Sequence, residues 1–289
     1  MQTLASKAEM KLWSRRQREA GRRVGFVPTM GYLHEGHLSL IRRSRAENDT
    51  TVVTLFVNPT QFGPSEDLAR YPRDIESDTR KCEGLGVNVL FMPTALEVYG
   101  PANHTFVDVE QISESLCGAS RPGHFRGVAT VVLKLCNIVG PSAAYFGKKD
   151  YQQLQVIRTM VRDLDLDVRI VPCETVREAD GLAMSSRNSY LSPEERKQAV
   201  CLYEALKAAE RLYANDEGVA EAYRRTMRER IKQEPDAVVD YISLVDPETL
   251  VELDRVTDSA VAALAVRIGK TRLIDNMMFQ GKSVSGCTT

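Results

Sequence analysis

No run of apolar residues in this chain approaches the length needed to cross a bilayer, so no segment reads as a membrane span. The N-terminal MQTLASKAEMKLWSRRQREAGRR carries basic residues but neither the apolar core nor the cleavage site of a secretory signal, and a first helix is expected there instead. Neither charge is in surplus. With 38 basic and 39 acidic residues among 289, no global field recruits nucleic acid or a membrane surface. Six cysteines, at 82, 117, 136, 173, 201 and 287, never fall at the short spacings of a zinc ribbon or a redox CxxC. Reduced thiols are expected, with Cys136 packing as a small hydrophobe. Two nucleotide signatures are also missing. There is no Gly-x-x-x-x-Gly-Lys-Ser/Thr, and Gly84-Leu85-Gly86 lacks a third glycine and ends a helix rather than opening one. No Ser-His-Asp arrangement, internal repeat or low-complexity tract is visible. What remains is the composition of an ordinary soluble protein, with the cytoplasm as its default location and length for one large or two modest domains.

Apolar, β-branched runs alternate with helical stretches through the first part of the chain. Val24–Val27, Thr51–Val57, Val87–Met92, Ala143–Phe146 and Val168–Val171 read as strands, the second apolar nearly throughout, as in a strand covered on both faces. Helices are expected over 38–47, 72–83, 127–139 and 150–164, and Val107–Val109 as an extra edge strand. Such alternation predicts a doubly wound parallel α/β sheet. The texture changes later. Ser192-Pro193-Glu194-Glu195 writes a capping box with proline at the first helical position, predicting a helix to about Ala214. A charged helix near 219–233 follows, then antiparallel strands at Val238–Val245, Ala260–Ile268 and Thr271–Ile274. Gly281–Thr289 is expected to fray. The fold class is therefore α/β, a Rossmann-like domain over 1–176 followed by a smaller α+β domain over 177–289.

The chain is organised around Pro28-Thr29-Met30-Gly31-Tyr32-Leu33-His34-Glu35-Gly36-His37-Leu38, where a buried strand meets a helix. In an open α/β sheet, such a junction offers ligands the free N–H groups and dipole of a helix N-terminus. Glycine lets a phosphate approach the backbone, and two histidines add donors aimed at the same place. A metal pair is disfavoured, because a helical zinc site places histidines at i and i+4 and these stand at i and i+3 with no third ligand nearby.

Four further blocks follow in order. They are Phe56-Val57-Asn58-Pro59-Thr60-Gln61-Phe62-Gly63, Arg121-Pro122-Gly123-His124-Phe125, Tyr145-Phe146-Gly147-Lys148-Lys149-Asp150-Tyr151-Gln152-Gln153 and Arg177-Glu178-Ala179-Asp180-Gly181-Leu182-Ala183-Met184-Ser185-Ser186-Arg187-Asn188. His34-x-Gly36-His37 resembles the HxGH motif of the HIGH-type nucleotidyltransferases. Together the blocks, ending with Thr271-Arg272-Leu273-Ile274-Asp275-Asn276, resemble the pantothenate synthetase (pantoate–β-alanine ligase) family over nearly the whole chain. That resemblance implies condensation of pantoate with β-alanine through a pantoyl adenylate, releasing AMP and pyrophosphate. It implies ATP as a substrate with Mg2+ accompanying it, a homodimer, and a C-terminal domain acting as a lid.

Residue by residue, the resemblance implies that Met30, Gly31, His34, Gly36, His37, Gly147, Lys149, Asp150, Val176, Met184, Ser185, Ser186 and Arg187 meet ATP. His34, His37, Lys149 and Arg187 would stabilise charge on its phosphates. Gln61 and Gln153 would orient pantoate, with Asn58 and Arg121 on the substrate side. The side chains suit these roles. An amide supplies donors and an acceptor to a hydroxy acid, a lysine meets phosphates as a point charge, and two hydroxyls with a guanidinium can wrap a triphosphate. Several plainer readings stand beside them. Asn58 also suits a turn, Asp150 a helix cap, Met184–Arg187 a polar linker and His124 a structural role. Lys148 replaces the acid common in the family and reads as a solvated charge. Tyr71-Pro72-Arg73-Asp74 with Asp78 opens a charged helix to which no catalytic role is assigned, and no magnesium ligand is named. Two rival functions share parts of this pattern: a nucleotidyltransferase that stops at adenylylation, and a non-catalytic nucleotide sensor.

Overall fold

The computed structural model describes residues 1–281; 282–289, with Cys287 and most of the stretch expected to fray, lie outside the described residues. The chain divides into two compact units, 1–178 with 184–189, and 179–183 with 190 onward.

The first unit runs β1 (Gln2–Leu4), α1 (Lys7–Glu19), β2 (Val24–Thr29), α2 (Glu35–Glu47), β3 (Thr50–Leu55), a 3-10 turn at Pro59–Gln61, α3 (Ile75–Gly84), β4 (Val89–Phe91), α4 (Ala95–Tyr99), α5 (Cys117–Ser120), α6 (His124–Val139), β5 (Ala143–Gly147), α7 (Tyr151–Asp163) and β6 (Arg169–Cys173). Its six strands form one parallel sheet in the order β1-β4-β3-β2-β5-β6. Val27, Ile41, Val53, Leu90 and Tyr145 are among the side chains buried between the sheet and its helices.

The order reverses at β2, with β3 and β4 laid down on one side of it and β5 and β6 on the other. Crevices for ligands open at such a switch, beyond the carboxyl ends of the strands. Here β2 pairs with β5 only at Gly25 and Phe26, although it stays paired with β3 as far as Thr29. Pro28, which lacks an N–H to donate, stands where the β2–β5 ladder has already parted. The gap widens into the site.

Three expectations are corrected. No strand forms at Val107–Val109, where the Val107 N–H donates to Thr130 Oγ1 on α6 instead of to a neighbouring strand. The edge strand is β1, ahead of the expected first helix and paired with β4. The helix expected from Pro193 to Ala214 is two, α8 (Pro193–Gln198) and α9 (Cys201–Ala214), separated at Ala199–Val200.

The capping box at Ser192 and Glu195 forms as expected. The second unit continues with α10 (Ala220–Ile231), β7 (Ala237–Val245), β8 (Ser259–Ile268) and β9 (Thr271–Gln280), the strands antiparallel in that order. Leu202, Leu206, Tyr223 and Met227 of its helices pack on Leu264 and Val266 of β8. The described cysteines are all free and buried, and burial pushes the Cys136 thiol up to about 12. No described helix is long and apolar enough to cross a membrane.

Candidate active site

One cavity within the first unit collects the sequence motifs at the switch point. Met30, His34, Gly36 and His37 follow β2. Asn58 and Gln61 follow β3, and Arg121 comes from the segment before α6. Gly147 ends β5, Lys149, Asp150 and Gln153 follow it, and Val176, Met184, Ser185, Ser186 and Arg187 come after β6. Of the residues expected there, Gly31 alone stands behind the wall. At φ +86° it turns the chain, and its N–H donates to Thr29 Oγ1 at 3.2 Å.

The histidines shape the turn as well as lining it. His34 is the N-cap of α2 and His37 its third residue, so the two imidazoles take the parts that serine and glutamate play in a usual capping box. His34 Nδ1 accepts from the Gly36 N–H at 3.2 Å, and His37 Nδ1 accepts from the His34 N–H at 3.4 Å. With both Nδ1 atoms acting as acceptors, the proton of each neutral ring sits on Nε2. The rings lie 4.1 Å apart. A Cβ on residue 36 would come within 2.9 Å of the His34 ring, so only glycine fits. Burial, then the charge of Lys149, holds His34 down at about 4. Burial, then His34 and Lys149, holds His37 well below 6.5. At neutral pH both are uncharged Nε2–H donors beside an ammonium.

Asp78 fixes this turn from behind, a part not foreseen in the sequence. Its two carboxylate oxygens accept from the Tyr32 and Leu33 N–H groups, each at 2.7 Å, while Lys81 Nζ donates to the Leu33 carbonyl at 2.6 Å. Tyr32 is held at φ +53°, a left-handed conformation that a tyrosine rarely adopts unsupported. Burial pushes the Asp78 carboxyl up, only partly offset by the two N–H bonds. The Asp-x-x-Lys spacing that puts both groups on one face of α3 was the available signal. Asp78→Ala leaves a buried and a partly buried N–H group without acceptors. It is expected to destabilise the fold by about 2–4 kcal/mol in urea denaturation at pH 7.

The two arginines are held by neighbouring acids. Arg121 donates from Nε and Nη2 to Glu66 at 2.8 and 2.6 Å, and Arg187 donates from Nε and Nη2 to Asp67, both at 2.9 Å. Burial pushes the Glu66 carboxyl up, but its bonds to Arg121 outweigh this and hold it below the usual range. Nothing in the order of the motifs pointed to Glu66 and Asp67, which lie adjacent in a loop with no periodicity. Lys148 is half-exposed and pairs at the surface with Glu174 at 2.5 Å, so its charge stays in contact with solvent. Asp150 makes no side-chain cap on α7 and stands 3.8 Å from Lys149 Nζ, so the plain capping role does not hold.

His124 takes the structural part foreseen for it. Its Nδ1 lies 2.8 Å from the Gln61 carbonyl, which must accept, and its Nε2 lies 3.0 Å from Arg121 Nη1, which must donate. Burial, then Arg121, lowers it to about 4. An imidazole ordinarily titrating near 6.5 therefore takes its proton in the unfolded chain first. Its contribution to stability is intact above 6.5, falls as the pH drops through this window, and is gone below about 4. The stability advantage of the wild type over His124→Gln should narrow as pH falls from 6.5 to 4, read by denaturant midpoints across that range.

Comparison with known proteins agrees with this geometry. A family model described as pantoate-beta-alanine ligase matches residues 2–278. The chain belongs to the pantoate–β-alanine ligase family. Among its relatives, the pantothenate synthetase of Heliobacterium modesticaldum is 56% identical over 97% of this chain and 100% of its own length. That of Thermotoga neapolitana is 54% identical over 96% and 99%. The crystal structure of the Thermus thermophilus pantothenate synthetase superposes with a TM-score of 0.91 at 48% identity, covering 96% and 99% of the two chains. The pantoate–β-alanine ligase of Francisella tularensis, solved with a form of ATP and β-alanine, superposes with a TM-score of 0.79 at 34% identity, covering 96% and 97%. The protein is thus a ligase of this family, with the family's fold.

Proposed function

We propose that this ligase condenses pantoate with β-alanine in two steps, at the cavity beyond β2 and β5. In the first, a pantoate carboxylate oxygen bonds to the α-phosphorus of ATP and the bond to the β-phosphate oxygen breaks, leaving pantoyl adenylate and pyrophosphate. In the second, the β-alanine amine attacks the acyl carbon, the bond to AMP breaks, and the nitrogen sheds its proton as the amide forms. A carboxylate is a poor acyl donor and an adenylate a good one, so holding the mixed anhydride away from water matters as much as forming it.

The observation that carries this reading is the polarity of the HxGH turn. Two neutral imidazoles present Nε2–H groups, and Lys149 adds a fixed positive charge, at the end of α2 whose dipole favours an anion. Such a surface meets phosphate charge as pyrophosphate departs. Ser185, Ser186 and Arg187 extend it along the triphosphate, while Gln61 and Gln153 orient pantoate. Arg121 binds Glu66 and His124, so its part is to hold the wall of the pocket beside the substrate.

Magnesium would arrive with the nucleotide. Its ligands would be mostly phosphate oxygens and water; among the described residues no group of three or more His, Cys, Asp or Glu side chains is placed to hold a metal. When bound, it would offset charge on the phosphates; the side chains named above orient the nucleotide and pantoate.

The purified chain, given ATP, pantoate and β-alanine, should release AMP and pyrophosphate in equal amounts with pantothenate. ADP formation, or turnover without β-alanine dependence, would overturn the reading in favour of a kinase-like or simple adenylylating enzyme. The homodimer is part of the same reading, and sedimentation should give a mass near twice 32.3 kDa.

A further inference from the structure

The amide of Gln61 has its orientation imposed by a chain of hydrogen bonds that begins outside the cavity. Asn58 is buried, 1% exposed, with both polar atoms of its side chain engaged by protein. Its Oδ1 lies 3.3 Å from the Thr60 N–H, a group that can only donate, and its Nδ2 lies 3.2 Å from the Gly127 carbonyl, which can only accept. Two backbone groups therefore decide which end of the Asn58 amide is which. Asn58 Nδ2 also donates to Gln61 Oε1 at 3.0 Å. That bond fixes the second amide in turn, leaving Gln61 Nε2 to point away from Asn58, 3.4 Å from Met30 Sδ on the cavity wall. Tyr99, at the end of α4, completes the chain. Its hydroxyl donates to Asn58 Oδ1 at 2.6 Å and lies 3.0 Å from Thr60 Oγ1.

Glycine at 127 is required for the arrangement. A Cβ there would come within 2.3 Å of the Thr60 carbonyl oxygen and 2.7 Å of the Gln61 nitrogen, so α6 can approach the turn closely only without one.

We propose that Tyr99 is a positioning residue that, through Asn58, sets Gln61 to present its N–H2 group, so that the pantoate atom facing Gln61 is a hydrogen-bond acceptor. This deepens the proposed function and rests on it for the identity of the substrate. It also moves Asn58 from direct substrate contact to alignment of Gln61. Without the tyrosine hydroxyl, Asn58 Oδ1 loses its shortest donor and keeps the Thr60 N–H at 3.3 Å and the Thr60 hydroxyl at 3.0 Å, so the amide pair keeps its sense but is held less tightly.

Steady-state kinetics on Tyr99→Phe separate this from a packing role. The KM for pantoate should rise about fivefold, the loss of one neutral hydrogen bond, while the KM for ATP stays within about twofold. In a Gln61→Ala background, adding Tyr99→Phe should leave the pantoate KM unchanged within the same margin, because Tyr99 acts through the missing amide. Unchanged pantoate KM in the single variant, equal rises for all substrates, or a full additional loss in the double variant would each overturn the proposal.

Two further readouts keep the test open. Gln61→Glu, whose carboxylate would present an oxygen to an acceptor, should lose pantoate binding and keep ATP binding; retained pantoate binding contradicts the proposal even if Tyr99→Phe does not fold. The side-chain amide resonance of Gln61, assigned by its loss in Gln61→Ala, should shift in Tyr99→Phe, and an unmoved resonance overturns the relay. That measurement needs no turnover, so a wild type that makes no pantothenate refutes the functional reading without touching it.

Discussion

His37→Ala is expected to slow pantoate-dependent AMP formation by about 10²–10³-fold, the usual loss when one preorganised donor to a developing charge is removed. His37 supplies an Nε2–H directed by the bond its Nδ1 accepts from the His34 N–H. Alanine removes both. The fold should tolerate the change, because the backbone bonds from the His37 and Leu38 N–H groups to the His34 carbonyl survive it, and so does the Asp78 grip on Tyr32 and Leu33. Single-turnover measurement of pyrophosphate release, with a thermal melt of the same sample, reads both. A variant retaining most of its rate would remove His37 from the chemistry.

Lys149→Met should lower the same rate by a comparable factor, about 10²-fold or more, for a different reason. After burial, Lys149 is the charge that lowers His34 most; on His37 it acts after His34, and Lys81 adds to both. Methionine keeps most of its volume and removes the charge. The imidazole of His34 should then titrate higher than about 4, which NMR of the histidine ring protons follows directly. The sign matters. A raised pKa in the variant shows that Lys149 faces the histidines, whereas an unchanged pKa with lost activity places its charge elsewhere.

These expectations rest on features that differ in how openly the sequence displays them. The strand–turn–helix at 24–47 was legible because each part carries a local signal: an apolar run, glycines where the backbone must turn, and periodic apolar residues beyond. Ser192-Pro193-x-Glu195 was legible for the same reason. β1 was not, since two exposed residues and one half-buried one have no period and become a strand only through pairing with β4. The break at Ala199–Val200 contains neither glycine nor proline and carries no local mark. Within the site, residue types suggested which groups line the cavity but not their partners. Arg187 read as a cation for phosphates, and its bidentate pairing with Asp67 joins positions 120 residues apart. Asp78 read as part of a charged helix with no catalytic role assigned, yet it is 1% exposed and holds the HxGH turn across 45 residues. Long-range pairing of polar groups leaves no periodic trace, and only the fold reveals it.

The two-step chemistry makes one demand that no single-step or kinase-like route shares: an oxygen atom must pass from pantoate to the nucleotide. With pantoate labelled by 18O in its carboxylate, one labelled oxygen should appear in AMP for each pantothenate formed. Label in inorganic phosphate together with ADP, or AMP carrying none, would contradict the adenylate and with it the role given to His34, His37 and Lys149.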